Sequence, residues 1–244
     1  MAAIADRRTY RKIINSWSMY DWANSAFATT IMAAMFPPFY RSLAIAAGLS
    51  EPDATAAWAY TTAFGLALAA VMAPILGAIS DHTGGKKRYI AVFVTLGVVA
   101  TALFVVLGDD SYLLASVLFI LGDIGFAGAE VFYESLLPHI AKEGDIDRVS
   151  TRGYALGYLG GGLLLVLNVL WYMQPEWFFM PNAGVALRVA FFSVAVWWAV
   201  FSIPLFRNVP EPPVVRTTGT AAGISAVGAG FRRLAHTFGQ VRRY

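Results

Sequence analysis

The chain has 244 residues, of which 58% are hydrophobic and 14% charged, with a mean hydropathy of +0.60. A soluble domain carries roughly 25% charged residues, and here the charges are bunched so that several runs of about 20 residues hold almost none, which makes the chain one integral membrane unit. The net charge of +3 does not indicate nucleic-acid binding, because the cations sit between apolar runs and not on one solvated face, and the absence of cysteine excludes disulfides and thiolate metal sites.

Apolar runs near residues 16–38, 56–80, 89–108, 111–138, 151–173 and 184–206 predict six spanning helices. Gly, Ala and Leu dominate them, without the short alternating blocks of a membrane barrel. The charged start "MAAIADRRTYRKIINSW" is like a signal peptide's, but the segment after it is too long and too polar for a cleavable apolar region. In the first helix Asp21 shares a face with Trp17, Asn24, Ser25 and Ala28. Asp21 lies a turn or so inside that helix, so snorkelling or capping competes with a role in a polar path.

Between the second and third helices stands "GAISDHTGGKKRY". Asp81 is at the negative end of one helix dipole, while Lys86, Lys87 and Arg88 open the next helix at its positive end. Each placement costs about 0.3–1 kcal/mol, so another contact must compensate. Asp81 could pair with those cations across Gly84-Gly85 or receive the N-terminus of another helix, to which Gly77 would give close access.

The fourth helix carries Asp123, Glu130 and Glu134, seven and four residues apart and therefore on one face. A carboxylate near the membrane centre costs about 2.5–3.5 kcal/mol even on lenient scales, so each must face a cavity, pair or take a proton. Glu134 is within reach of Arg152 for an ion pair. Asp123 lies toward the outer side, where hydrogen bonding to a neighbouring helix is an alternative to a place in the path. Glu130, without an obvious cation partner, is the first candidate for proton coupling. In the fifth helix Gly153, Gly157 and Gly161 form a small-residue face suited to helix packing. Tyr154 and Tyr158 flank it, either as packing residues or as hydroxyls for a substrate. The histidines, His82, His139 and His236, lack ligand spacing, and neither a metal nor a cofactor is expected.

Residues 1–206 are expected to form a six-helix bundle, and residues 207–244 a cytoplasmic linker leading to a basic amphipathic helix, "FRRLAHTFGQVRRY". With six spans, sixteen of the 18 Lys and Arg residues fall on one side and only Arg41 and Arg188 on the other. The positive-inside rule makes the rich side, with both termini, cytoplasmic. Trp58, Tyr112 and Trp177 suit the opposite interface.

The stretch "GAISDHTGGKK" resembles the signature loop between helices two and three of the major facilitator superfamily, with His82 at a position where that family usually has Arg or Lys. "SWSMYDWANSAFATTI" and "RGYALGYLGGGLLLVLN" resemble the autophagy-type vacuolar effluxer branch, which includes amino-acid exporters and prokaryotic relatives. The resemblance implies an all-α membrane fold of two inverted three-helix repeats, the N-terminal half of a twelve-helix transporter. It further implies that the loop with Gly77, Asp81, Gly84, Lys86 and Lys87 acts as a gate against a C-terminal six-helix half, and that Asp21, Asn24, Asp123, Glu130, Tyr154 and Tyr158 border a path for a small metabolite. A prokaryotic cytoplasmic membrane is the expected location. The motifs of a serine hydrolase, a zinc protease or a phosphate-binding loop are absent from the sequence, so an enzyme is not expected. The alternative to a transporter is a non-transporting membrane scaffold or partner-binding subunit.

Overall fold

The computed structural model describes residues 6–82 and 84–212, apart from the side chains of residues 78, 81 and 82. The Asp81 carboxylate and the expected amphipathic helix therefore lie outside the described residues. The described chain is helical. Helix α1 (Arg7–Ala26) starts at the N-cap Asp6, whose carboxylate accepts from the Arg8 N–H at 3.1 Å. That carboxylate offsets the cations crowded into the first turns. The helical path continues through a π-helical segment, Phe27–Met35, into α2 (Phe36–Ala46). Pro37 and Pro38 have no N–H to donate back into the preceding turn, so the ladder changes register before them.

The other helices are α3 (Glu51–His82), α4 (Lys86–Ala102, extended by a 3-10 turn at Leu103–Val106), α5 (Tyr112–Glu134), the short α6 (Leu137–Ile140), α7 (Ile146–Met173) and α8 (Ala183–Asn208). Five segments are long and apolar enough to cross a membrane: Glu51–Gly77, Lys86–Val106, Tyr112–Ile140, Glu143–Met173 and Ala183–Asn208. The sixth expected span, 16–38, corresponds to the α1, π-helical and α2 path, which is divided into three helical segments and most of whose polar residues lie in α1.

Packing reveals the internal symmetry. Helix α1 packs on α7 and α8, α5 packs on α3 and α4, and α4 meets α8. Exchanging the first triplet (α1 with α2, α3, α4) for the second (α5, α7, α8) maps these contacts onto one another, as inverted three-helix repeats require. Glycines set the closest crossings. A Cβ at Gly125 of α5 would stand 2.5 Å from the Gly97 N of α4, and one at Gly97 would strike the Trp198 ring of α8, so neither position has room for a larger residue. One end of the bundle is filled by aromatic packing around Phe36, whose ring lies 4.3 Å from Phe104 and 5.6 Å from both Phe119 and Phe191.

The loop before α4 resolves the dipole conflict read in the sequence. Gly85, at φ 82°, makes a left-handed turn that a side chain would strain. Lys86, 8% exposed, donates from Nζ to the Ser135 carbonyl at 3.0 Å, at the end of α5. Lys87 donates from Nζ to the Val209 carbonyl at 2.7 Å, at the end of α8. Each lysine thus opposes the dipole of α4 but meets the negative end of a neighbouring helix. At Gly77, no described atom lies within 4 Å of where a Cβ would stand, which leaves that face of α3 open within this bundle.

Candidate functional site

Helices α1, α5 and α7 enclose a cavity of about 430 Å³. Helix α1 and the π segment supply Asp21, Asn24, Ser25, Ala28 and Thr29, α5 supplies Phe126, Glu130 and Glu134, and α7 supplies Tyr154 and Tyr158. The volume falls in the range of small-molecule pockets, roughly 300–1,000 Å³. The lining has three carboxylates and no cation.

Helical periodicity places these groups together. Asp21, Asn24, Ser25 and Ala28 recur at three-, four- and seven-residue intervals along one face of α1, and Glu130 and Glu134 are one turn apart on α5. The Asn24 side-chain amide donates to Glu130 Oε1, joining the two helices across the cavity. Tyr133, which is fully buried, donates its hydroxyl to Asp21 Oδ2 at 2.9 Å and also reaches the Trp17 carbonyl at 3.2 Å. The indole N–H of Trp17 returns a bond to the Tyr133 carbonyl at 3.3 Å, and the two rings stack with centroids 4.5 Å apart. Asp21 is therefore held from behind by an aromatic pair linking α1 to α5.

The α7 side is held by close approach. A Cβ at Gly157 would meet Ser25 Oγ at 2.5 Å, one at Gly161 would meet the Ser25 carbonyl oxygen at 2.7 Å, and one at Gly153 would strike the Asp21 carboxylate. Thr29 closes the seam by donating from Oγ1 to the Ser25 carbonyl at 2.9 Å, with the Gly161 carbonyl also within reach at 3.1 Å. Tyr154 and Tyr158 stand at the open edge, 64% and 70% exposed.

Two sequence expectations are corrected. Asp123 does not line the cavity. It faces α3, where a Cβ at Gly65 would come within 2.9 Å of its Oδ2: seven residues leave it on nearly the same side of α5 as Glu130 but about 10 Å further along the axis, where α3 and not the cavity covers that side. Glu134 and Arg152 do not pair: among the described residues the ion pair is Arg41–Glu51 at 3.5 Å. Arg152 is turned into a separate basic pocket, while Glu134 borders the central cavity. Tyr133 and Thr29 were missed in the sequence because each sits in an apolar run and gains its role through a contact more than a hundred residues away.

The family profile described as vacuole effluxer Atg22 like matches residues 9–244. The chain belongs to that family. It is similar to YxiO of Bacillus subtilis strain 168, named as an uncharacterized MFS-type transporter, with 33% identity over 97% of this chain and 54% of that protein. It is also similar to autophagy-related protein 22-1 of Penicillium rubens, with 24% identity over 66% of this chain and 37% of that protein. Autophagy-related protein 22 of Coccidioides immitis matches at 21% identity over 85% of this chain and 50% of its own length. The chain thus spans about half, or less, of the length of these relatives, and the family and YxiO are named as an effluxer and a transporter, not as enzymes.

Proposed function

We propose that this chain forms one bundle of a secondary transporter that moves a small metabolite by alternating access, with Glu130 carrying a coupling proton. The observation that carries this reading is the Asn24–Glu130 hydrogen bond inside a cavity lined by three carboxylates and no cation. Carboxylates at depth in a membrane are costly unless they take protons or meet a substrate. Asp21, Asn24, Glu130, Tyr154 and Tyr158 form the path in this reading, and amino acids are the substrate class to which the family resemblance points.

The bundle's partners are the lipid bilayer, a small-molecule substrate and a second six-helix bundle of the same transporter, against which it rocks around the shared site. Gly77, Asp81, Gly84, Lys86 and Lys87 form the gate between the halves. In this reading both termini are cytoplasmic, which the bias of cations supports, and the membrane is a prokaryotic cytoplasmic membrane, to which the family resemblance points. The test is Glu130→Gln in the complete transporter, reconstituted with an imposed pH gradient and assayed with labelled amino acids. The variant mimics the protonated side chain, so substrate exchange persists while pH-driven accumulation is lost. Unchanged pH-driven accumulation would reject the assignment.

A further inference from the structure

A second cavity of about 470 Å³ opens between the first turns of α1 and the start of α7, at the end of the bundle that the cation bias assigns to the cytoplasm. Five cations line it, Arg7, Arg11, Lys142, Arg148 and Arg152, against the single carboxylate of Asp145. Asp145 is already engaged, since it accepts the Tyr10 hydroxyl at 3.0 Å. Lys142 is engaged too, with its ammonium 4.9 Å from the centre of the Tyr10 ring. Partial burial and the Asp145 carboxylate raise the Tyr10 phenol above its ordinary range, against a downward pull from the Lys142 backbone N–H, so Tyr10 remains a donor that ties up Asp145 at neutral pH.

The four guanidinium groups have no hydrogen-bond or ion-pair partner among the described residues. Outside the described residues and side chains, Asp81 is the only acidic residue in the sequence, and it ends α3, which packs on α5. Four unpaired guanidiniums around one concave space, with Ile14 and Val149 contributing apolar surface, form a receptor for a compact anion with several acceptor oxygens.

We propose that this basic pocket is a binding site for a phosphate-bearing anion, supplied by the headgroup of an anionic lipid in the cytoplasmic leaflet. Position favours the lipid source. The pocket lies at the start of the apolar segment Glu143–Met173, beside the first turns of α1, and basic residues at such an end gain from the negative surface of the leaflet. The guanidinium fork fits a phosphodiester oxygen pair better than an ammonium does.

The experiment uses the full-length protein in nanodiscs of phosphatidylcholine alone or mixed with phosphatidylglycerol, with retained lipid read by native mass spectrometry. Inorganic phosphate is titrated separately in the phosphatidylcholine discs, with thermal stabilisation as the readout. We expect preferential retention of phosphatidylglycerol and roughly a tenfold or greater loss of that retention in Arg11→Gln combined with Arg148→Gln, since each basic residue near an anionic surface contributes substantially. Arg8→Gln, on the same helix but outside the pocket, leaves retention unchanged. A phosphate response without lipid preference supports the anion site but overturns the lipid source. Equal retention of both lipids together with no phosphate response overturns the site itself, as does retention in the double variant equal to that of the parent. Salt provides a check that needs no variant: retention that does not weaken between low and high ionic strength is not held by these guanidiniums.

Discussion

Gly161 and Gly162 are adjacent residues of α7, and the same substitution is expected to have opposite consequences at each. At Gly161 a Cβ would lie 2.7 Å from the Ser25 carbonyl oxygen and 2.9 Å from both the Ser25 carbonyl carbon and Thr29 Oγ1, whereas at Gly162 it would meet nothing within 4 Å. Non-bonded heavy atoms settle near 3.5 Å, so Gly161→Ala forces α7 and α1 apart by about 0.8 Å at the seam where Thr29 reaches the Gly161 carbonyl. Backbone atoms cannot swing aside as a side chain could. Overpacking of this kind costs about 1–3 kcal/mol. Both variants gain up to about 1 kcal/mol in helix propensity, and that common gain cancels when they are compared. The difference between Gly161→Ala and Gly162→Ala is therefore about 1–3 kcal/mol, roughly 5- to 150-fold in the folded-to-unfolded ratio. Thermal unfolding in one detergent measures it. The complete transporter carrying Gly161→Ala should also lose transport, because the displaced backbone carries Asp21 and Ser25. Equal unfolding temperatures for the two variants would refute the close α1–α7 seam.

Three further outcomes follow from the same geometry. Single cysteines placed in this cysteine-free chain report topology: Asp53→Cys is labelled by an impermeant thiol reagent from outside and Arg88→Cys is not, and the reverse pattern would overturn the assigned orientation. Tyr133→Phe keeps the ring stacked on Trp17 but removes the hydroxyl donor to Asp21, which lowers stability by about 1–3 kcal/mol, the usual effect of losing a buried bond to a carboxylate; an unaltered unfolding transition contradicts that role. The 244-residue chain alone, purified as a monomer and placed in vesicles, does not accumulate substrate, because alternating access needs a second bundle, and accumulation by the monomer would refute this.

The spans were legible because hydropathy and span length are local properties. The predicted run 184–206 became α8 at Ala183–Asn208, and 89–108 became the segment Lys86–Val106. The polar face of α1 was legible for the same reason, since the spacing of Asp21, Asn24 and Ser25 determines their common direction. Pairwise relations between helices were not. Glu134 and Arg152 looked close enough to pair, but the rotations of α5 and α7 direct them into different cavities. Asp123 illustrates the same limit, because a seven-residue spacing fixes a rough face and not which neighbour covers it. The π segment was also hidden: "FPP" marks a helix disturbance, but how it is absorbed depends on the packing of Phe27 and Ile31 against the bundle.

The two cavities lie along one seam with opposite charge. Arg11 and Ile14 of the basic pocket and Asp21, Ser25 and Ala28 of the acidic cavity share a face of α1, and ten residues of rise separate Arg11 from Asp21 by about 15 Å. The order of charge has a physical reason. An arginine keeps its charge at any accessible pH, so it can sit cheaply only where water or an anionic headgroup meets it. A carboxylate can be neutralised by a proton, so it is the charged group that can occupy the depth of a membrane in one step of a cycle and shed its charge in the next. Reversing the two would put a permanent cation at the centre and leave nothing at depth able to alternate. The placement of Asp21 and Glu130 in the central cavity, with Arg7, Arg11, Arg148 and Arg152 toward the starts of α1 and α7, therefore fits the proposed proton-coupled path.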